Sequence, residues 1–83
     1  MNKILYFSAS WCGPCKQLGP VVNQLKNEGF PINRVDVDGD PNLTSNYSIK
    51  SVPTLVLVDS SGRELKRSSN IRSSEGIKNW FNN

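Results

Sequence analysis

The nine residues Ser8-Ala9-Ser10-Trp11-Cys12-Gly13-Pro14-Cys15-Lys16 join two segments of different character. Upstream, Lys3 to Phe7 is a short apolar and aromatic run, which reads as a buried strand. Downstream, Leu18, Val21, Val22 and Leu25 recur at i, i+3, i+4 and i+7, one face of a helix. Gly29 stands where that helix would end, and Pro20 inside it predicts a kink. The two cysteines therefore lie at a strand-to-helix junction.

The rest of the chain continues the alternation. Ile32 to Val37 reads as a second strand, with Val35 and Val37 alternating with Arg34 and Asp36. Asp40 suits a helix N-cap and Pro41 the first helical position; Leu43 and Tyr47 then share a face. Thr54 to Val58 is an unbroken apolar strand, expected to be buried on both faces. Asp59-Ser60-Ser61-Gly62 is a hairpin turn, and Arg63 to Ser68 the returning edge strand, guarded by its charges. Ser73 can cap a last helix with Ile77, Trp80 and Phe81 on its inner face. The expectation is an α/β fold of order β-α-β-α-β-β-α, a four-stranded mixed sheet covered by three helices. Strands joined through helices should pair in parallel, and the tight turn should make one antiparallel pair. With 83 residues, the chain reads as one domain, 1–83.

Composition narrows the chemistry. At 36% hydrophobic residues the chain is too apolar for a disordered tail. The longest apolar run, Leu55 to Val58, is far too short for a membrane helix, and the opening apolar stretch is too short for a secretory signal. A cytoplasmic monomer is the expectation. Net charge is +3, from 10 Lys+Arg and 7 Asp+Glu. Arg63, Lys66, Arg67 and Arg72 cluster, but they read as a solvated strand and loop, so no nucleic acid is expected as a partner. The absence of histidine excludes His-based acid–base catalysis and His metal ligands. Two cysteines do not complete a zinc site, and one bridge does not make a secreted disulfide scaffold. A chance pair of buried thiols, a metal half-site completed by a second chain and a redox dithiol remain. C-x-x-C between a strand and a helix favours the dithiol, with no metal and no bound cofactor.

The parts supply a mechanism. Cys12 precedes the helix, where unpaired N–H groups and the positive end of the helix dipole favour its thiolate. A free cysteine has a pKa of about 8.5, and bringing it to about 7 needs roughly 2 kcal/mol. The dipole supplies about 0.3–1 kcal/mol, and hydrogen bonds from Cys15 would add to it. Cβ atoms on successive helical turns lie about 5–6 Å apart, whereas a disulfide needs about 3.8 Å. A non-helical Cys12 at the N-cap closes that gap. Cys12, at the exposed start, is the expected nucleophile, and Cys15, one turn inside, the expected resolving thiol. Gly13 admits a partner's backbone, and Pro14 stands where an N–H would go unused. Neither charge nor histidine lies between the cysteines, which points to a reductant rather than a strong oxidant. Trp11 is either a core aromatic or, preferred beside the nucleophile, an exposed cover of the docking surface.

Trp11 to Lys16 resembles the thioredoxin active-site motif in full, and Val52-Pro53-Thr54 resembles that family's cis-proline segment. Val35-Asp36-Val37-Asp38 and the hairpin at Asp59 to Gly62 fit the same family, and the likeness runs over residues 3–82. The resemblance implies a thioredoxin fold and protein dithiol–disulfide oxidoreductase activity. Pro53 would be cis opposite the sulfurs, and Val52 would offer backbone groups to an extended substrate. Its partners would be disulfide-containing proteins, a ribonucleotide reductase among the candidates, with a flavin-dependent thioredoxin reductase or glutathione as electron donor.

The chain departs from the family in three places. It has no room for the extra strand and helix with which full-length thioredoxins begin, so it resembles the minimal fold of glutaredoxins carrying a thioredoxin motif. The family's buried Asp, six residues before Cys12, is Tyr6 here, and its Lys neighbour aligns with Arg34. Tyr6 and Arg34 either tune the Cys15 thiol or simply fill core volume and reach solvent. A family Gly before the last helix aligns with Asn70, a residue tolerant of positive φ. Ser69, Asn70 and Ile71 are either groove-lining or an ordinary polar loop. Two other functions stand beside the reductant: a non-catalytic docking module using the same surface, and glutathione-dependent activity of the glutaredoxin type.

Overall fold

The computed structural model describes residues 1–82. Its elements are β1 (Lys3–Ser8), α1 (Gly13–Asn27), β2 (Ile32–Asp36), α2 (Pro41–Asn46), β3 (Thr54–Val58), β4 (Glu64–Ser68) and α3 (Ser74–Asn82). The strands form one mixed sheet in the order β2-β1-β3-β4.

Alternation along β1 assigns the two faces of the sheet. Ile4 and Tyr6 pack with Leu18, Val22 and Leu25 of α1 and Ile77 of α3. Leu5 and Phe7 face the other way, against Val35, Val56 and Val58, with Leu43 and Tyr47 from the α2 side covering them. β3 is buried at every position, as a strand covered on both faces must be. The helix ends follow local chemistry. Asp40 Oδ1 accepts the Leu43 N–H at 3.1 Å, and Ser73 Oγ accepts that of Gly76 at 3.0 Å. Gly29, at φ +100°, closes α1, with the N–H groups of Gly29 and Phe30 returning to the carbonyls of Lys26 and Leu25. α1 runs through Pro20 without being broken.

The strand directions correct one expectation. β1 and β2 are parallel, but β1–β3 is antiparallel as well as β3–β4, so there are two antiparallel pairs and not one. The reason is length. Six-residue α2 rises about 9 Å, while a five-residue strand spans about 17 Å. α2 therefore does not carry the chain back along the sheet, and β3 enters from the end at which β2 left.

The basic cluster is occupied with intramolecular contacts. Arg67 binds both Glu64 oxygens at 2.6 Å and the Tyr47 carbonyl, and Lys66 lies 5.2 Å over the Trp80 ring and donates to the Trp80 carbonyl. Among the described residues, no helix is long and apolar enough to cross a membrane, and no cluster of three or more His, Cys, Asp or Glu is placed to hold a metal.

Candidate active site

Cys12 is the N-cap of α1, with extended φ and ψ of −89° and 112°. Its Sγ accepts the Cys15 N–H at 3.2 Å, so one of the helix's orphan donors points at the sulfur. The Cα atoms of Cys12 and Cys15 are 5.3 Å apart, within disulfide range, and the two are bridged. The extended N-cap thus brings together side chains that a regular turn would hold apart.

One expectation fails here. Cys12 is not the exposed member of the pair: both cysteines are 5% exposed. Cys12 and Cys15 cluster with Ala9, and Val37 and Val52 close over them. Any difference in reactivity must come from position on the helix and not from exposure. The exposed residue is Trp11, at 67%. Its indole Nε1–H donates to Asp38 Oδ2 at 2.9 Å, which fixes the ring over a hollow of about 260 Å³ lined by Val37, Thr44, Ile49, Lys50, Ser51 and Val52. A Cβ built on Gly13 would meet nothing within 4 Å, and Lys16 is exposed on the same helix.

The Val52–Pro53 peptide is cis. Thr54, next in sequence, is buried; its hydroxyl donates to the Ser51 carbonyl at 2.7 Å and lies 3.1 Å from Ser69 Oγ. Of the three loop residues, Ser69 is thereby tied to the cis-proline segment. Ile71 is half-buried and packs against the core cluster on the α1 face, where an apolar side chain gains from burial. Asn70 does not adopt positive φ; Ser48 is the non-glycine that does among the described residues.

Tyr6 and Arg34 are register partners on β1 and β2. Tyr6 is wholly buried, and its hydroxyl donates to the Cys15 carbonyl at 3.1 Å. The Arg34 guanidinium carbon lies 5.5 Å from the Tyr6 ring centroid. Burial pushes the Tyr6 phenol above its usual range, with Arg34 opposing, so at neutral pH Tyr6 is a neutral donor. Tyr6 and Arg34, with Ser8, Ala9, Ser10, Lys16 and Asp36, line a cleft of about 310 Å³ that reaches Cys15.

The thioredoxin family model matches residues 2–83. This chain belongs to the thioredoxin family. A thioredoxin of Chlamydia trachomatis is 38% identical over 76 residues, covering 89% of this chain and 74% of that protein. Two solved structures are similar. A mutant thioredoxin from Halobacterium salinarum superimposes with a TM-score of 0.83 at 32% identity, over 95% of this chain and 70% of that one. Fasciola hepatica thioredoxin gives 0.85 at 29%, over 98% and 78%. With the Cys12–Cys15 pair in bridging geometry, this thioredoxin-family chain is a thiol–disulfide oxidoreductase. Its family reduces disulfide-containing proteins.

Asp38 as the anchor of Trp11, and Val37 as part of the cover over the sulfurs, are not evident from the sequence alone. The Val-Asp-Val-Asp run was the available signal, but nothing local pairs residues 27 apart.

Proposed function

We propose that this protein is a thioredoxin-like reductant of protein disulfides, with Cys12 as nucleophile and Cys15 as resolving thiol. The observation that carries the roles is the N-cap position of Cys12, whose sulfur receives the Cys15 N–H. A hydrogen bond to sulfur and the helix dipole both favour a thiolate there. In the forward half-cycle the Cys12 thiolate attacks a substrate disulfide, one substrate sulfur leaves as a thiolate, and a mixed disulfide forms. Cys15 then attacks Cys12, the second substrate thiol leaves, and the internal bridge remains.

The substrate segment would lie extended along the backbone of Val52, opposite the sulfurs at cis-Pro53, with Trp11 over one end and Ser69 and Asn70 at the other. Gly13 and Pro14 keep the turn between the cysteines low, and Lys16 borders the cleft. A flavin-dependent thioredoxin reductase or glutathione would return the two electrons, and a ribonucleotide reductase is a candidate target. A cycling dithiol needs a reducing compartment, which supports the cytoplasm. Insulin turnover with dithiothreitol tests the assignment. Wild type is expected to precipitate the insulin B chain and Cys12→Ser to be inactive. Turnover by Cys12→Ser would remove Cys12 from the mechanism.

A further inference from the structure

In the proposed cycle Cys15 must lose its thiol proton before it attacks. The proton goes to water in the cleft, the Cys15 sulfur bonds to Cys12 Sγ, the Cys12–substrate S–S bond breaks, and the substrate thiolate takes a proton from solvent. The group that eases this first loss has to face Cys15, and the chain has no histidine. Among the described residues, Asp36 is the one carboxylate lining the cleft, and its Oδ1 already accepts the Asp38 N–H at 3.0 Å.

Resting on that cycle, we propose that Arg34 is a positioning residue for resolution: its guanidinium, seated on Gly19 of α1, holds a permanent positive charge beside the cleft and favours the attacking Cys15 thiolate. Three observations carry this. The parallel register puts Arg34 beside Tyr6, and its guanidinium lies across the Tyr6 ring. The Tyr6 hydroxyl in turn holds the Cys15 carbonyl, so the ring that seats Arg34 also touches the first turn of α1. The third is Gly19. A Cβ there would stand 2.7 Å from Arg34 Nη2. Glycine is unfavourable inside a helix, and here its missing side chain is the space the guanidinium occupies. Cys15 and Gly19 are four residues apart on one helix face, where Cβ positions are separated by about 5–6 Å. The charge is therefore held about one helical turn from the resolving cysteine.

Neither the other groups lining the cleft nor Arg72, whose charge reaches Tyr6, replaces it. Tyr6 is neutral at pH 7. Lys16, on α1 itself, is exposed, and among the described residues no hydrogen bond or ion pair holds it toward the sulfur. Arg72, from the segment before α3, donates to the carbonyls of Ser69 and Ile71. Asp36 acts in the opposite sense. Arg34 is the cation that packing ties to both β1 and α1.

The test separates the two chemical steps. Reduced protein mixed with an aromatic disulfide releases one aryl thiolate on attack by Cys12 and a second on resolution, both visible by stopped flow. The second phase is followed from pH 5 to 10. Relative to wild type, Arg34→Met should move its profile up by about half a unit to one unit, so that resolution at pH 7 slows roughly three- to tenfold. The profiles should converge at the alkaline end of the range, where Cys15 is a thiolate in both proteins. Arg34→Lys should restore most of the shift, and about 1 M salt should shrink it, because the cleft is open to solvent. Superimposed profiles, or a loss equal at every pH, overturn the proposal, the second by showing a structural role alone. Should Arg34→Met not fold, Arg34→Gln removes the same charge and reads the same way. Wild type failing to release the first thiolate would overturn the proposed function instead, so the two failures are distinguishable.

Discussion

Cys12 and Cys15 are equally buried, so their chemistry must be told apart by backbone position. Cys12 stands outside the first turn and receives an N–H; Cys15 supplies that N–H and belongs to the helix. Limiting iodoacetamide at neutral pH is expected to label Cys12 ahead of Cys15 in the reduced protein, as read by peptide mapping. Labelling of Cys15 first would reverse the roles. Gly19 offers a second test at this scale. Its missing Cβ faces the far end of the Arg34 side chain, which an alanine would displace from its seat on α1 without disturbing the backbone. Gly19→Ala should therefore keep most of the helix-propensity gain, about 0.5–1 kcal/mol, and raise Tm by a few degrees. A lower Tm would mean that seating Arg34 on α1 contributes more stability than the helix gains from alanine.

At the scale of elements, the hairpin between β3 and β4 rests on one carboxylate. Asp59 Oδ1 accepts the N–H groups of Ser61 and Arg63 and the Ser61 hydroxyl. The Ser61 hydroxyl first, then the Arg63 N–H, hold its pKa below the ordinary 3.8. The folded-state pKa is the depressed one, so the carboxylate's contribution is complete above about pH 4 and is lost as pH falls through the lower folded value. Acid titration of Tm should show wild type losing stability below pH 4 more steeply than Asp59→Asn; equal slopes would deny the carboxylate this role. What was legible in the sequence at this scale was local. The Leu18–Leu25 face, the Asp40 and Ser73 caps and the Gly62 turn each depend on neighbours a few residues away. The site's core was equally legible, because the strand, the C-x-x-C and the helix are contiguous. The direction of β3 was not, since it depends on how far α2 travels compared with a strand. Nor were the closure of Val37 and Val52 over Cys12, the Trp11–Asp38 bond or the packing of Ile71 on the core, all of which join residues distant in the chain.

Across the whole molecule, the redox bridge is confined to one corner. Cys12 and Cys15 are three residues apart, so the bond closes a very small loop and ties no two elements together. Constraining so short a loop removes little entropy from the unfolded chain, and the oxidised form gains little stability from it. The sheet is held by other means: two apolar clusters, one on each face, neither of which includes a cysteine. Only the small cluster of Ala9, Cys12 and Cys15, with Val37 and Val52 beside it, contains the reacting atoms. Reduction should therefore leave the fold intact. Amide chemical shifts are expected to move at residues 9–16, at Val37 and Asp38 through the Trp11 contact, and at Val52; those of β3 from Leu55 onward and of β4 should stay within experimental scatter. The Tyr6–Cys15 hydrogen bond adds one informative reporter, because it leads from the resolving cysteine into β1. A shift at Tyr6 that stops there would mean that reduction is felt as a local adjustment of the first turn of α1. Shifts spreading from Tyr6 through its partners Leu55 and Arg34 into the rest of the sheet would contradict the confinement and identify a conformational switch driven by the bridge.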